Sequence, residues 1–137
     1  MVVQWLLDTN AWIVLLKSTN EHLVRRLSQR QDGDILLCAV VKAELWHGAQ
    51  KYGNREARLS RLQQLFSRHH SLPFDDDAAW HYADIRHDLE LKGQVIGPND
   101  LKIAAICRAH HLRLVTANTG EFLRVPGLGV DDWTEAD

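Results

Sequence analysis

The feature that most constrains this chain is a set of short, nearly unbroken apolar runs: VVQWLL near the start, ILLCAVV from residue 35 and LRLV from residue 112. Each is followed by polar or helix-like sequence. A strand buried on both faces reads this way, whereas a strand with one wet face alternates. The first run stops at Asp8-Thr9-Asn10 and resumes as AWIVLL, which predicts strand, turn and helix, with Asp8 at the carboxyl end of the strand. The second run leads into KAELWHGAQKYG, a predicted helix with Lys51 in its last turn and Gly53 as its stop. Glu44 is then expected just past a strand, in the first turn of a helix.

Helical spacing recurs at Leu23 and Leu27, and again over 54–70, where Leu59, Leu62, Leu65 and Phe66 oppose Arg58, Arg61 and Arg68. Residues 72–74 suit a short strand. DDDAAWHYADIRHDLELKG reads as a long helix with an acidic first turn and Gly93 as its stop. GPND then breaks the chain before a helix at LKIAAICRAHH and a strand at LRLVTAN. Strands alternate with helices throughout, so the expected fold class is α/β, a mostly parallel sheet covered on both faces. The 137 residues suit one domain over 1–137.

Composition narrows the function classes. A formal charge of −2 gives no global basic field, so a polyanion would have to be held locally or through metal. No run approaches the roughly 20 apolar residues that span a bilayer, which argues against a membrane role, and the start lacks the cationic segment of a secretory leader. The cytoplasm is the expected location. Cys38 and Cys107 lie inside apolar segments and read as small buried hydrophobes rather than a disulfide or thiolate site.

The acidic residues are not equivalent. Asp75, Asp76 and Asp77 open a helix, where caps and the helix dipole account for them, and Asp131 and Asp132 lie near the terminus. Asp8, Glu44, Asp100 and the 118–121 segment instead fall at strand ends or helix starts on one edge of the sheet. Asp8 and Asp100 each have an alternative as a helix N-cap, but caps do not require convergence. Clustered carboxylates repel unless a cation lies among them, and hard oxygen donors suit Mg²⁺ or Mn²⁺. Such a site hydrolyses phosphodiesters.

The blocks LLDTN, VVKAELWHGA, GPNDLKIAA and LVTANTGEFLRVPGLGVDDW, in this order, resemble the PIN-domain ribonucleases, and within them the VapC toxins of bacterial toxin–antitoxin pairs. The ending is most similar to the subgroup that cleaves initiator tRNA in its anticodon stem-loop. The resemblance implies a three-layer α/β/α sandwich, a metal held by Asp8, Glu44 and Asp100, and a pocket completed by Asn118. Thr9, Asn10 and Thr116 would support it, and Glu121 would add charge through water. It also implies a homodimer, an RNA substrate and a VapB-type antitoxin, with the 54–70 helix offering either a partner surface or ordinary core packing.

Two other readings stand beside it. A phosphotransfer domain also gathers aspartates at strand ends, but the phosphatase pattern wants an Asp where Asn10 stands, and a receiver wants paired acids at the first strand. A PIN-type module that binds RNA or protein with little catalysis is favoured by Asn118, where many PIN domains carry Asp.

Overall fold

The computed structural model describes residues 2–136. The chain runs β1 (Trp5–Leu7), α1 (Thr9–Lys17), α2 (Glu21–Ser28), β2 (Ile35–Cys38), α3 (Ala39–Lys51), α4 (Arg55–Phe66) and β3 (Ser71–Leu72). It continues through α5 (Asp76–Leu91), α6 (Pro98–Ala109), β4 (Arg113–Val115), α7 (Thr119–Phe122) and β5 (Val130–Asp131). All strand pairs are parallel, in the order β3-β2-β1-β4-β5, with Leu6 beside Leu36 on one side and Leu114 on the other. Helices cover both faces of the sheet, giving the three-layer α/β/α arrangement.

The apolar runs form the middle layer because its strands are wet on neither face. Leu6, Leu7, Ile35, Leu37, Leu114 and Val115 are essentially sealed, and they join one core with Trp12, Ile85, Leu89 and the inner face of α6. The helix starts follow local chemistry. Asn20 caps α2 by accepting from Leu23 N–H at 2.9 Å, Asp75 caps α5 from Ala78 N–H at 3.0 Å, and Pro98 begins α6 where its missing N–H costs nothing.

Several expectations are corrected. The apolar run at 35 is not all strand: Ala39, Val40 and Val41 form the first turn of α3, which moves Glu44 from the first helical turn into the second. An apolar run alone does not say where a buried strand becomes a buried helix. Helix α6 begins at Pro98 rather than after Asp100, so Asp100 lies inside its first turn and Gly97 precedes the helix. The short strand lies at 71–72, and α7 and β5 carry no periodicity that would announce them. Leu62 and Leu65 of α4 are buried and Leu59 packs against the same core, so that stripe is core packing. Cys38 and Cys107 are free and buried.

Two side chains fasten the last strand. Arg113 donates to both carboxylate oxygens of Asp131 at 2.7 and 2.9 Å, and the Trp5 indole N–H adds a third bond at 3.1 Å. Arg108, with its side chain 12% exposed, ties α6 to His81 Nδ1 at 2.8 Å and Asp84 at 2.5 Å on α5 and to the Pro126 carbonyl at 3.2 Å.

Candidate active site

The chain leaves β1 toward β2 and β3, then returns to place β4 on the other side of β1. The carboxyl ends of β1 and β4 therefore border the crevice where an open parallel sheet reverses direction, the usual place for ligand chemistry. Asp8 stands at that point. Its own N–H continues the ladder to Val115 O at 3.0 Å, and its side chain caps α1 by accepting from Ala11 N–H at 2.8 Å. The cap reading of Asp8 and the site reading are thus both satisfied by one residue.

Asp8 is only 6% exposed. Burial raises its carboxyl above the usual carboxylate range, and the negative charges of Glu44 and Asp132 raise it further. The bonds from Thr116 and Ala11 act the other way. Thr116 Oγ1 donates to Asp8 Oδ2 at 2.5 Å and accepts from Asn118 N–H at 2.9 Å, so the end of β4 holds the carboxylate of β1. Thr9 opens α1 and donates its hydroxyl to Glu44 Oε1 at 2.5 Å, which fixes the second acid against the first.

Asp100 comes in on the first turn of α6. Burial is the main reason its carboxyl is pushed up to about 6, followed by repulsion from Asp8, Glu121 and Glu44. Asp100 thus lies in the field of Asp8, Glu121 and Glu44, and Asp8 in that of Glu44. Asn118 is exposed and donates Nδ2–H to Glu121 Oε2 at 3.0 Å, so its amide is engaged in orienting Glu121. Asn10 is exposed on α1 and reaches none of these carboxylates among the described residues. Asp132 adds negative charge against Asp8, which the sequence reading does not anticipate. A two-residue strand leaves no pattern to place it, so the sequence shows it only as a residue near the terminus.

The donors are carboxylate and amide oxygens. Burial pushes the Cys38 thiol up to about 11 and the Cys107 thiol well above its ordinary value, so neither offers a thiolate as nucleophile or ligand. Buried carboxylates facing further negative charge, as Asp8 and Asp100 do, are the environment that a hard divalent cation relieves. As the side chains stand, no three acidic, His or Cys side chains among the described residues close into one coordination shell. Donor chemistry and charge fit Mg²⁺ or Mn²⁺.

The family model described as PIN domain matches residues 5–128. The chain belongs to the PIN-domain family. This PIN domain is 35% identical over 133 residues to the tRNA(fMet)-specific endonuclease VapC of Shigella flexneri, covering 97% of this chain and all (100%) of that one. It is 33% identical over 132 residues to the protein of the same name from Salmonella typhimurium, covering 96% and 99% of the two chains. Among solved structures, DNA-bound VapBC from Salmonella typhimurium superposes with a TM-score of 0.89 at 34% identity, covering 96% of this chain and 98% of that one.

Proposed function

We propose that this PIN domain is the ribonuclease toxin of a VapBC-type pair, a Mg²⁺- or Mn²⁺-dependent endoribonuclease that cuts tRNA in the anticodon stem-loop. The observation that carries it is the buried Asp8, held by Thr116 and Ala11 and sharing its field with Glu44 and Asp100. The relatives named tRNA(fMet)-specific endonuclease support the choice of RNA, and the VapBC structures support a VapB-type antitoxin as partner. We extend the same reading to a homodimer acting on cytoplasmic RNA.

Asp8, Glu44 and Asp100 are the residues that would hold the cation. When bound, it would neutralise the acidic cluster and activate water for attack at phosphorus. The chain supplies orientation: Thr116 and Ala11 fix both oxygens of Asp8, Thr9 fixes Glu44, and Asn118 aims Glu121. The Asp100 carboxylate takes up a proton near pH 6, so it is free of that proton above this range. No protein nucleophile is needed for hydrolysis, in keeping with the protonated, buried thiols.

The alternative, a PIN module that binds RNA or protein with little catalysis, draws on Asn118 and on the unclosed coordination shell. One experiment separates the two. Purified protein is incubated with initiator tRNA and with bulk RNA in Mg²⁺, Mn²⁺ or EDTA, beside Asp8→Ala and Asp100→Ala. Metal-dependent cutting at one anticodon-loop position, lost in both variants, is expected. Discrete cutting of a different RNA would keep the nuclease and discard the tRNA. Folded protein that cuts nothing in any metal would overturn the enzyme and favour the binding module.

A further inference from the structure

Helices α3 and α4 form a hairpin whose base is closed and whose tip is open. At the base the Lys42 ammonium lies 5.3 and 5.2 Å from the ring centres of Trp46 and Phe66, and the two rings meet edge to face at 5.2 Å. Leu62 and Leu65 commit the inner stripe of α4 to the core. At the tip, residues 50–58 are exposed without a break, and Tyr52 is 63% exposed. The turn there is fixed by its own contacts. Asn54 takes the left-handed conformation at φ 61°, and Arg58 donates Nε–H to Gly53 O at 2.9 Å with its guanidinium 5.5 Å from the Tyr52 ring centre. A ring held in place and left this open is a stacking platform, because every nucleic-acid base has a π-face to lay on it.

Positive charge gathers at the same tip. Residues 50–61 carry Lys51, Arg55, Arg58 and Arg61 against one acid, Glu56, in a chain whose formal charge is −2. Arg58 and Arg61 are engaged with the carbonyls of Gly53 and Leu16, whereas Lys51 and Arg55 make no hydrogen bond or ion pair among the described residues. One face of α3 joins this tip to the acidic site. His47 and Lys51 stand three and seven residues past Glu44, the spacing that sets side chains in one row along a helix, and both are exposed. The helix rise places Lys51 about 10 Å along the axis from Glu44, within reach of a strand a few nucleotides beyond a bond cut there.

We infer that the α3–α4 tip is a docking arm for single-stranded RNA that runs from the acidic site along α3, with Lys51 and Arg55 on its phosphates and Tyr52 stacked against a base. The inference rests on the proposed RNA substrate and adds where the strand lies beyond the cleaved bond. Phosphate contacts fix position and a stacking ring accepts any base, so the arm contributes affinity rather than sequence choice.

The variants are the double change Lys51→Gln with Arg55→Gln, and Tyr52→Leu, because all three side chains are exposed and lie outside the acidic cluster. Binding of fluorescein-labelled oligouridylate is measured by anisotropy in EDTA across a salt series, beside labelled polyglutamate as an acidic polypeptide, with thermal unfolding followed alongside. The double variant is expected to bind RNA about tenfold more weakly at low salt and to flatten the slope of log affinity against log salt by about one to two units. Tyr52→Leu is expected to weaken RNA binding about fivefold with the slope unchanged. In Mg²⁺ both changes appear in KM, with kcat nearly constant. RNA affinity and salt slope equal to wild type in both folded variants would overturn the arm, even where RNA is still cut. Charge changes that weaken RNA and polyglutamate alike, with Tyr52→Leu affecting neither, would also overturn it and assign the tip to an acidic protein segment. RNA that binds through the tip and is never cut would keep the arm and overturn the nuclease reading. A chain that neither binds nor cuts RNA overturns both.

Discussion

Thr116 is bonded to Asp8 across the two central strands: its hydroxyl donates to Oδ2 at 2.5 Å while its oxygen accepts the N–H of Asn118 at 2.9 Å. Both partners depend on one hydroxyl, and that hydroxyl is buried. Thr116→Val keeps the shape and removes both bonds, which leaves a buried carboxylate oxygen short of a donor. A loss of about 1–3 kcal/mol in urea unfolding is expected, with cleavage falling further than stability, while Thr116→Ser retains most of both. Equal cleavage by the Val and Ser variants would show that the bond does not serve the site.

Thr9 plays the corresponding part for Glu44, at a more open position. Thr9→Val leaves the Glu44 carboxylate without its 2.5 Å donor and free to change rotamer. Residues that orient metal-binding carboxylates are commonly worth about 10- to 100-fold in metal affinity or activity, and a loss in that range is expected here, with thermal stability nearly unchanged. Calorimetric titration of Mn²⁺ into both proteins reads the effect without relying on turnover.

Asp100 gives the metal-free protein a pH signature. Its folded carboxyl is raised from 3.8 to about 6, so the folded state holds this proton more tightly than the unfolded chain does. The stabilisation from that proton is present in full below about 3.8 and is lost as pH rises through about 6. Asp100→Asn in EDTA is therefore expected to unfold at a higher temperature than wild type near pH 7.5, and to lose that advantage on acidification. Adding Mn²⁺ reverses the order at pH 7.5, because binding to the folded state stabilises wild type by about 2.7 kcal/mol at a hundredfold excess over Kd. An asparagine variant that matches wild type in EDTA at every pH would contradict the raised Asp100 carboxyl and the burial that is its main cause.

Two arginine pairs should differ in worth despite similar distances. Arg113 and Asp131 are 43% and 30% exposed, and screening there limits an ion pair to about 0–1 kcal/mol. Arg108 is 12% exposed and serves His81, Asp84 and the Pro126 carbonyl together. Arg108→Met is expected to cost about 1–2 kcal/mol and Arg113→Met under about 1 kcal/mol in paired denaturant titrations, the difference coming from the three contacts that the largely buried Arg108 guanidinium makes at once.

Where the chain carries long apolar signals, the fold was legible. β1, β2 and β4 announce themselves because each is sealed on both faces, and Asp8 was placed correctly because a polar break after such a run has few alternatives. Glu44 was placed one turn too early, since ILLCAVV holds apolar character straight through the strand-to-helix junction. Strand β5 was invisible: it is held by backbone pairing to β4 and by the Arg113–Asp131–Trp5 contact, and none of these leaves a periodicity. For the same reason the charge that Asp132 brings near Asp8 has no signal in the sequence. The resemblance implies a supporting role for Asn10, but one step along α1 from Thr9 leaves it exposed.

The strand order has a further consequence. β1 is made first, yet its neighbour on the β4 side and the helix that carries Asp100 come from the last third of the chain, and Thr116 can grip Asp8 only after both strands exist. A chain still growing on a ribosome therefore has its first acid with only the local bond from Ala11 N–H on it, and not the grip of Thr116 or the company of Asp100. The acidic site is thus assembled only once residues 98–116 have emerged, so Asp8, Glu44 and Asp100 come together late in synthesis and all at once.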